Sequence, residues 1–546
     1  MNQTPPPPPP PERSVPSPDQ PVVPVDQNPP PAGPSAVQSG QAGWKVATAV
    51  AAGLGLILSG TVYVLMDRQI TSLEDDLATV RAELADAQAQ ADDPLGGLGD
   101  LLGGLGGLDD LGGLGDLLGG DLGDLLGGDL GDLLGGDFGD IDPILFQCLS
   151  PGGGLGLGNT GSIPEADIET QVQAVRDILE DERGLVTNSD LSIEFVTVDE
   201  VQRRAVELTE AELDREQAAV DARLLAALGA VEPGLDLVQA QLDALDAGVG
   251  GFYNPDTGEL VIGSETMDGL GAYITSHEMV HALADEIFGL PDTAELAETH
   301  GSDAAYAALN AIEGDATLYG QMFISAHLPM SELLALEAQT ADSQAALDAM
   351  PYFIRRNLEF PYLEGMTFSC HLYLDGGWDA VDDTYANLPS TSAQILFPDR
   401  YRAGETAVDV DTPAAPAGWA EIRTDTFGAA DLLFLLEAPG GDTDAALDNP
   451  KDLAEAWAGG RITVWDRAGD TAMALALAEH PDRPGLCGTL DEYYAAAFPD
   501  STRAENDGIV TFDGGAQSAA ISCADGEVLL GTGPDPDTAR GIVSAP

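Results

Sequence analysis

The sequence predicts an α+β protein whose globular part is mainly helical and extends over residues 162–546. Apolar residues in this part recur mostly at the helical spacing of three and four positions, and a few short runs alternate as β-strands do. Ahead of it, one long apolar run is bounded by charged residues. These observations together predict a mixed domain carried on a single membrane anchor.

Acidic residues dominate the charge of the 546-residue chain. Asp and Glu number 93 against 21 Lys and Arg, which gives a formal net charge of −72. A surface this negative repels phosphate groups, so we expect no nucleic acid partner and no binding to anionic lipid headgroups. The simpler interpretation is that the negative charge is a signature of the organism's habitat or lineage. The alternative interpretation is that the charge gathers divalent cations.

Residues 1–44 are rich in proline, which predicts a disordered tail. The alternative is that this tail binds a partner domain with an aromatic groove. Val46 to Met66 is an uncharged run of about 21 residues, enough to cross roughly 30 Å of hydrocarbon as a helix. It begins too far from the N-terminus for a cleaved signal peptide. We therefore predict an uncleaved single-pass anchor over residues 45–66, in the cell membrane.

All four cysteines, Cys148, Cys370, Cys487 and Cys523, follow the anchor. An even number in an exported region is compatible with two disulfides, with three possible pairings. Because the charge bias across the anchor is weak, this distribution decides the orientation that we predict. The N-terminus lies in the cytoplasm and the large acidic part lies outside the cell.

Two low-complexity segments separate the anchor from the globular part. From Ile70 to Ala91, within residues 67–93, apolar residues alternate at spacings of three and four. This pattern fits a short coiled coil that joins two or three chains, or equally a single amphipathic helix. Residues 94–161 are rich in Gly, Leu and Asp, with a repeat of eight in Gly119–Asp140. That period differs from calcium-binding nonapeptide repeats, so we expect a flexible spacer, with loose calcium binding as the alternative.

The globular part shows helical and strand patterns in sequence order. Helices are predicted at Asp167–Glu182, Val198–Leu228, Gly234–Leu245, Ala272–Phe288 and Ala304–Phe323. Strands are predicted at Leu191–Val198 and on both sides of the Asn-Pro-Asp-Thr-Gly turn within Gly251–Gly263.

The chemistry is concentrated in the fourth of these helices, which contains the motif His277-Glu-Met-Val-His281. Two histidines four positions apart lie on one face of a helix, so both imidazoles can bind one metal ion. Zinc suits imidazole ligands, and a catalytic zinc keeps one position open for water. Glu278 is placed to act as the general base toward that water. Two structural histidines on a helix are the alternative.

A third metal ligand is expected downstream. The metzincin extension would require Gly and His at positions 284 and 287, which are Ala284 and Ile287, so that class is excluded. Glu313 lies among apolar residues of the following predicted helix, where a carboxylate needs a partner such as a metal ion. Glu313 is therefore our candidate, with His300 as its rival. Asp315 either orients a ligand histidine or is a surface or helix-breaking acid.

Several stretches between Gly251 and Tyr401 resemble, in order, the bacterial neutral zinc metallopeptidases that carry HExxH and a downstream EGDA glutamate. The matching stretches are Gly251-Phe-Tyr-Asn-Pro-Asp-Thr-Gly, SHEMVHALADEIF, IEGDAT, Pro361-Tyr-Leu-Glu-Gly365, Gly376-Gly-Trp-Asp-Ala and Pro389 to Tyr401. The resemblance implies a zincin-like, gluzincin-type domain in which His277, His281 and Glu313 bind Zn2+ and Glu278 is the base. It also implies that Glu259 to Gly263 is the edge strand along which a peptide or protein substrate pairs.

One residue departs from the resembled family: Phe397 stands where a histidine is usual. His371, Tyr401 or Arg400 could replace a histidine that stabilises the oxyanion. Three functions follow as hypotheses: a membrane-anchored, extracytoplasmic zinc metallopeptidase, a catalytically inactive zincin-like binding or envelope-assembly protein, and a structural surface protein without stoichiometric metal.

Overall fold

The computed structural model describes residues 142, 144–149, 163–164, 166–514, 517–524 and 526–544. It is 56% helical and 17% strand, so the predicted mixture of α and β is confirmed. The predicted tail (1–44), anchor (45–66) and coiled coil (67–93) lie outside the described residues. Among the helices that are described, none combines the length and the apolar character needed to span a membrane.

The first part of the described chain is largely helical and contains one small sheet. Its elements are α1 (Ile144–Leu149), α2 (Ile168–Glu182), β1 (Ser192–Phe195), α3 (Val198–Glu212), α4 (Arg215–Leu228), α5 (Leu237–Gly248), β2 (Gly251–Asn254), β3 (Glu259–Ile262), α6 (Gly269–Phe288), α7 (Thr293–His300), α8 (Ser302–His327), α9 (Met330–Asp348), α10 (Tyr352–Gly376), α11 (Trp378–Ala386), α12 (Ser392–Leu396) and α13 (Pro398–Ala403).

The second part contains a larger sheet. Its elements are β4 (Ala420–Thr426), α14 (Ala429–Glu437), α15 (Pro450–Ala454), β5 (Trp457–Arg467), β6 (Asp470–Glu479), α16 (Leu486–Ala497), β7 (Thr502–Asn506), β8 (Ile509–Asp513), β9 (Ser518–Ala524), β10 (Glu527–Gly533) and α17 (Pro536–Val543), with short 3-10 turns at Pro439–Gly441 and Thr443–Ala445.

The predicted helices are present, with one correction. The stretch Val198–Leu228 forms two helices, α3 and α4, rather than one. Leu213 adopts an extended backbone, and the Asp214 side chain accepts hydrogen bonds from the amides of Glu216 and Gln217. A cap of this kind starts a new helix, although the apolar spacing continues across the break.

The small sheet has the strand order β1-β3-β2. Strand β3 pairs in parallel with β1 and antiparallel with β2, so it is the central strand. The prediction that Glu259 to Gly263 forms an edge for substrate pairing is therefore wrong. Strand β1 comes from more than sixty positions earlier in the chain and covers the edge that a local hairpin would leave open. The edge nearest the HExxH helix belongs to β2.

The large sheet is antiparallel and has the strand order β4-β5-β6-β10-β9-β8-β7. No strand or helix was predicted for this C-terminal part. The Cys487–Cys523 disulfide joins α16 to β9. The Cys148–Cys370 disulfide joins α1, which falls within the stretch 94–161 assigned to the spacer, to α10. The two predicted disulfides are thus both formed.

Candidate metal site

The two histidines of the HExxH motif lie together on one face of helix α6. The helix begins after Asp268, whose side chain caps the amide of Gly271, and ends at Phe288, just before Gly289. Four positions make about one turn, so the His277 and His281 rings lie one above the other. Their Nε2 atoms are 3.2 Å apart, and both side chains are fully buried.

Glu313 approaches the same point from helix α8. Its Oε2 lies 3.4 Å from His277 Nε2 and 3.3 Å from His281 Nε2. The candidate ligand atoms of the three residues all lie within 4.8 Å of one another. This buried group could hold a metal ion, and two neutral imidazoles with one carboxylate are a ligand set that suits a divalent transition metal.

The protonation of the three residues reflects burial and mutual charge. Burial lowers the pKa of His277, which favours the neutral ring that binds metals. Burial also acts to lower the pKa of His281, but contact with Glu313 and the charges of Glu313, Glu278 and Asp315 together raise it. Burial opposes ionisation of Glu313 as well, yet the two histidines lower its pKa overall. Glu313 is therefore a carboxylate, the form that binds a cation.

Glu278 is buried beside this group and faces strand β2. Neither oxygen of its carboxylate is hydrogen-bonded within the described part of the chain. Burial raises the pKa of Glu278 to about 8. Strand β2 reaches this point because residue 251 is glycine: a Cβ there would lie 2.5 Å from Ile274 Cγ2 and 3.6 Å from Glu278 Cγ. The motif thus places Glu278 between the histidines and an edge strand.

Helix α10 closes the site from another side. It crosses α8 at two glycines, where a Cβ on Gly314 would lie 2.1 Å from the Gly365 carbonyl oxygen. This close crossing brings Tyr362, three positions before Gly365, to a ring-centroid distance of 6.5 Å from His277. Tyr362 had no predicted role, although it lies in the stretch Pro361-Tyr-Leu-Glu-Gly365 that carries part of the family resemblance.

Asp315 does not bind a ligand histidine by a described hydrogen bond. Its carboxylate accepts hydrogen bonds from Arg183 at 2.9 and 2.8 Å and from the Tyr385 hydroxyl at 2.9 Å. Asp315 is fully buried inside α8, so the alternative prediction of a surface or helix-breaking acid is wrong as well. It fixes α8 to α2 and α11, two positions beyond Glu313.

The remaining sequence candidates lie outside the group. His300 is exposed at the end of α7 and is not the third ligand. Arg400 lies over the Phe397 ring and donates hydrogen bonds to the carbonyl oxygens of Trp457 and Glu455. The Tyr401 hydroxyl donates to the Asn387 carbonyl oxygen. These contacts assign Arg400 and Tyr401 to packing.

Comparisons with known proteins add no relative: no family model matches the chain, and no curated protein or solved structure is significantly similar to it.

Proposed function

We propose that this protein is a zinc metallopeptidase of the gluzincin type, with a zincin-like catalytic domain. The observation that carries the proposal is the convergence of His277, His281 and Glu313 within 4.8 Å, with Glu278 buried beside them. The resemblance to bacterial neutral zinc metallopeptidases supports the same assignment.

The donor set fits Zn2+. Catalytic zinc sites commonly combine two histidines with one glutamate and leave a position for water. When bound, the ion would supply a Lewis acid that polarises a peptide carbonyl and lowers the pKa of water.

Glu278 performs the proton transfers in this proposal. Its carboxylate takes a proton from the attacking water and passes it to the amine released when the peptide bond breaks. Glu278 follows His277 directly and contacts β2 at Gly251, so it lies where water and peptide would meet. An extended peptide would pair with β2, the edge strand that contacts Glu278, by main-chain hydrogen bonds.

The cellular setting belongs to the same proposal. Residues 45–66 anchor the chain in the cell membrane, with the N-terminus in the cytoplasm and the catalytic part outside. Two disulfides support an oxidising compartment for the folded part. Residues 67–93 would join two or three chains, and the substrate is a peptide or protein outside the cell.

One observation favours a second function, a zincin-like protein that binds metal or a partner without catalysis. His277, Glu278, His281 and Glu313 are all fully buried. A peptidase with this structure must open a path for its substrate, whereas a binding protein need not. Phe397 also stands where the resembled metallopeptidases usually have a histidine, which favours a protein without catalysis.

The first experiment measures metal in the detergent-solubilised full-length protein by elemental analysis. We expect about one zinc per chain in the wild type and in His300→Ala, and none in Glu313→Ala. Glu278→Gln should retain zinc but lose peptide cleavage. Folded wild-type protein without zinc would overturn the proposal. Zinc without any Glu278-dependent cleavage would leave the binding function.

A further inference from the structure

Strand β7 forms one outer edge of the seven-stranded sheet. It pairs with β8 on one side, and no other strand of the described residues lies along its opposite side. All five of its residues, Thr502–Asn506, are exposed. The main-chain groups of β7 that point away from β8 are therefore open to pairing with a further strand.

The turn between β7 and β8 decides which main-chain groups point outward. Its two loop residues, Asp507 and Gly508, have φ values of 55° and 78°, as a type I′ hairpin turn requires. The flanking residues Asn506 and Ile509 are paired in register. In a two-residue hairpin this closing pair is hydrogen-bonded, and hydrogen-bonded and non-hydrogen-bonded pairs alternate from there along the ladder. Every second residue of β7, counted from Asn506, therefore bonds to β8.

Arg503 and Glu505 are the two residues of β7 whose amides and carbonyls point to the open edge. They lie symmetrically on either side of Ala504. A second copy of β7, related by a two-fold axis at Ala504, would run antiparallel to the first. Arg503 would then lie opposite Glu505 of the partner subunit, and each such pair would exchange both of its main-chain hydrogen bonds.

The side chains of Arg503 and Glu505 are complementary in the same register. They lie two positions apart and so project from one face of the sheet, where opposite charges across two strands stabilise the pairing. Arg503 is 42% exposed and Glu505 is 59% exposed, so both can reach another chain. Asp491 of α16 orients the guanidinium by accepting from Nε and Nη2 at 2.7 and 2.6 Å. A second carboxylate can therefore bind at Nη1.

We propose that two copies of this protein associate through β7, by antiparallel pairing about Ala504 that joins their seven-stranded sheets. The interface is isologous, because each copy supplies the same strand. It is also small, so the association is weak unless the copies are confined together, as anchors in one membrane would confine them. Each chain has a formal charge of −72, so salt should favour the dimer by screening mutual repulsion. The inference does not depend on the peptidase function.

Single cysteines in the full-length protein test the register, since all four native cysteines are in disulfides. Ala504 would face Ala504 of the partner subunit as a non-hydrogen-bonded pair, with Cα atoms about 4.5 Å apart, which a disulfide can span. Ala504→Cys should therefore give covalent dimers under mild oxidation. Asn506→Cys is the matched control, because it is exposed on the same strand but its two copies would lie about 13 Å apart. A mixture of Thr502→Cys and Asn506→Cys chains should crosslink, because these positions face each other.

Charge exchange in the Ala504→Cys protein tests the ion pairs. Arg503→Glu makes the edge acidic and Glu505→Arg makes it basic, so like charges would face each other in either variant alone. Each should give roughly 3- to 10-fold less covalent dimer, and a mixture of the two should recover it. Melting temperature is measured on every variant, so that a folding defect is seen separately. Equal yields from the single variants and from the mixture would contradict the pairing of Arg503 with Glu505.

The decisive comparison is made in about 1 M salt, where the Debye length is about 3 Å. Folded Ala504→Cys protein that crosslinks no more than Asn506→Cys would overturn the inference. Arg503 and Glu505 would then be charges that keep an edge strand unpaired. Strong crosslinking of both variants would overturn it as well, since random collision has no register.

Discussion

Arg183 and Asp315 form an ion pair in which both side chains are fully buried. The guanidinium donates through Nε and Nη2 to the two carboxylate oxygens at 2.9 and 2.8 Å, and it lies 4.5 Å above the Trp378 ring. Asp315 follows Glu313 by two positions, so this pair holds the ligand-bearing turn of α8 against the end of α2. The site is therefore supported from outside the motif that the sequence displays.

Replacing Arg183 by Met should strongly destabilise the protein and weaken zinc binding. Removing the cation of a buried ion pair typically lowers the free energy of unfolding by about 3–5 kcal/mol, because the carboxylate remains buried without a compensating charge. Urea unfolding measures the loss, and competition with a chelator measures zinc affinity. Arg203→Met is the matched control, because Arg203 and its partner Glu207 are 51% and 63% exposed. Equal stability of the two variants would contradict this role for Arg183.

Replacing Gly314 by Ala should separate helices α8 and α10. The new Cβ would lie 2.1 Å from the Gly365 carbonyl oxygen, a backbone atom that cannot move aside cheaply. Overpacking of this kind costs about 1–3 kcal/mol, and zinc affinity should fall because Glu313 is the neighbouring residue. Gly488→Ala is the control: it lies in helix α16 with no heavy atom within 4 Å of the added Cβ. Similar behaviour of the two variants in thermal unfolding would refute the close crossing.

Removing the Cys148–Cys370 disulfide should release α1 from α10. Native disulfides typically contribute about 2–5 kcal/mol, and the chain-entropy account gives more to longer loops. The separation is 222 residues for this bond and 36 for Cys487–Cys523. We therefore expect the Cys148→Ser/Cys370→Ser variant to melt below the Cys487→Ser/Cys523→Ser variant. Thiol labelling of unfolded wild type should find no free cysteine, and labelling of all four would exclude both bonds.

Asp303 should make stability fall as the pH rises from about 4 to about 6. The carboxyl is buried in α8, where burial raises its pKa from 3.8 to about 6. Between these values the folded state holds a proton that the unfolded state has lost, so raising the pH favours unfolding. This rise in the pKa corresponds to at most roughly 3 kcal/mol of unfolding free energy. Asp303→Asn keeps an acceptor for the amide of Ser392. Its stability, followed by urea unfolding, should vary less over this range; an unchanged slope would exclude Asp303 as the cause.

The helices of the site could be predicted from local patterns. Apolar spacing and caps are short-range signals, so α6 and α8 were placed within a few residues, and two histidines four apart share a face in any α-helix. The apolar surroundings of Glu313 identified it as a third ligand candidate by the same logic. The strand pair on either side of the Asn-Pro-Asp-Thr-Gly turn was predicted from equally local signals.

Other features depend on residues that are far apart in sequence. β3 became a central strand because β1 joins it from more than sixty positions away, and no local pattern shows which edge a remote strand will cover. The seven-stranded sheet places β10 between β6 and β9, an arrangement set by packing rather than by chain order. The ion pair between Asp315 and Arg183 likewise joins residues that are 132 positions apart.

The sequence by itself thus determined the motif, its helix and the identity of the metal-binding candidates. The tertiary structure decided that these residues converge and that the edge strand is β2. It also decided that Tyr362 lies against His277 and that Arg183 binds Asp315. The physical reason is that backbone periodicity orients side chains over one or two turns, whereas helix crossings and strand pairing arise when distant apolar surfaces are buried together.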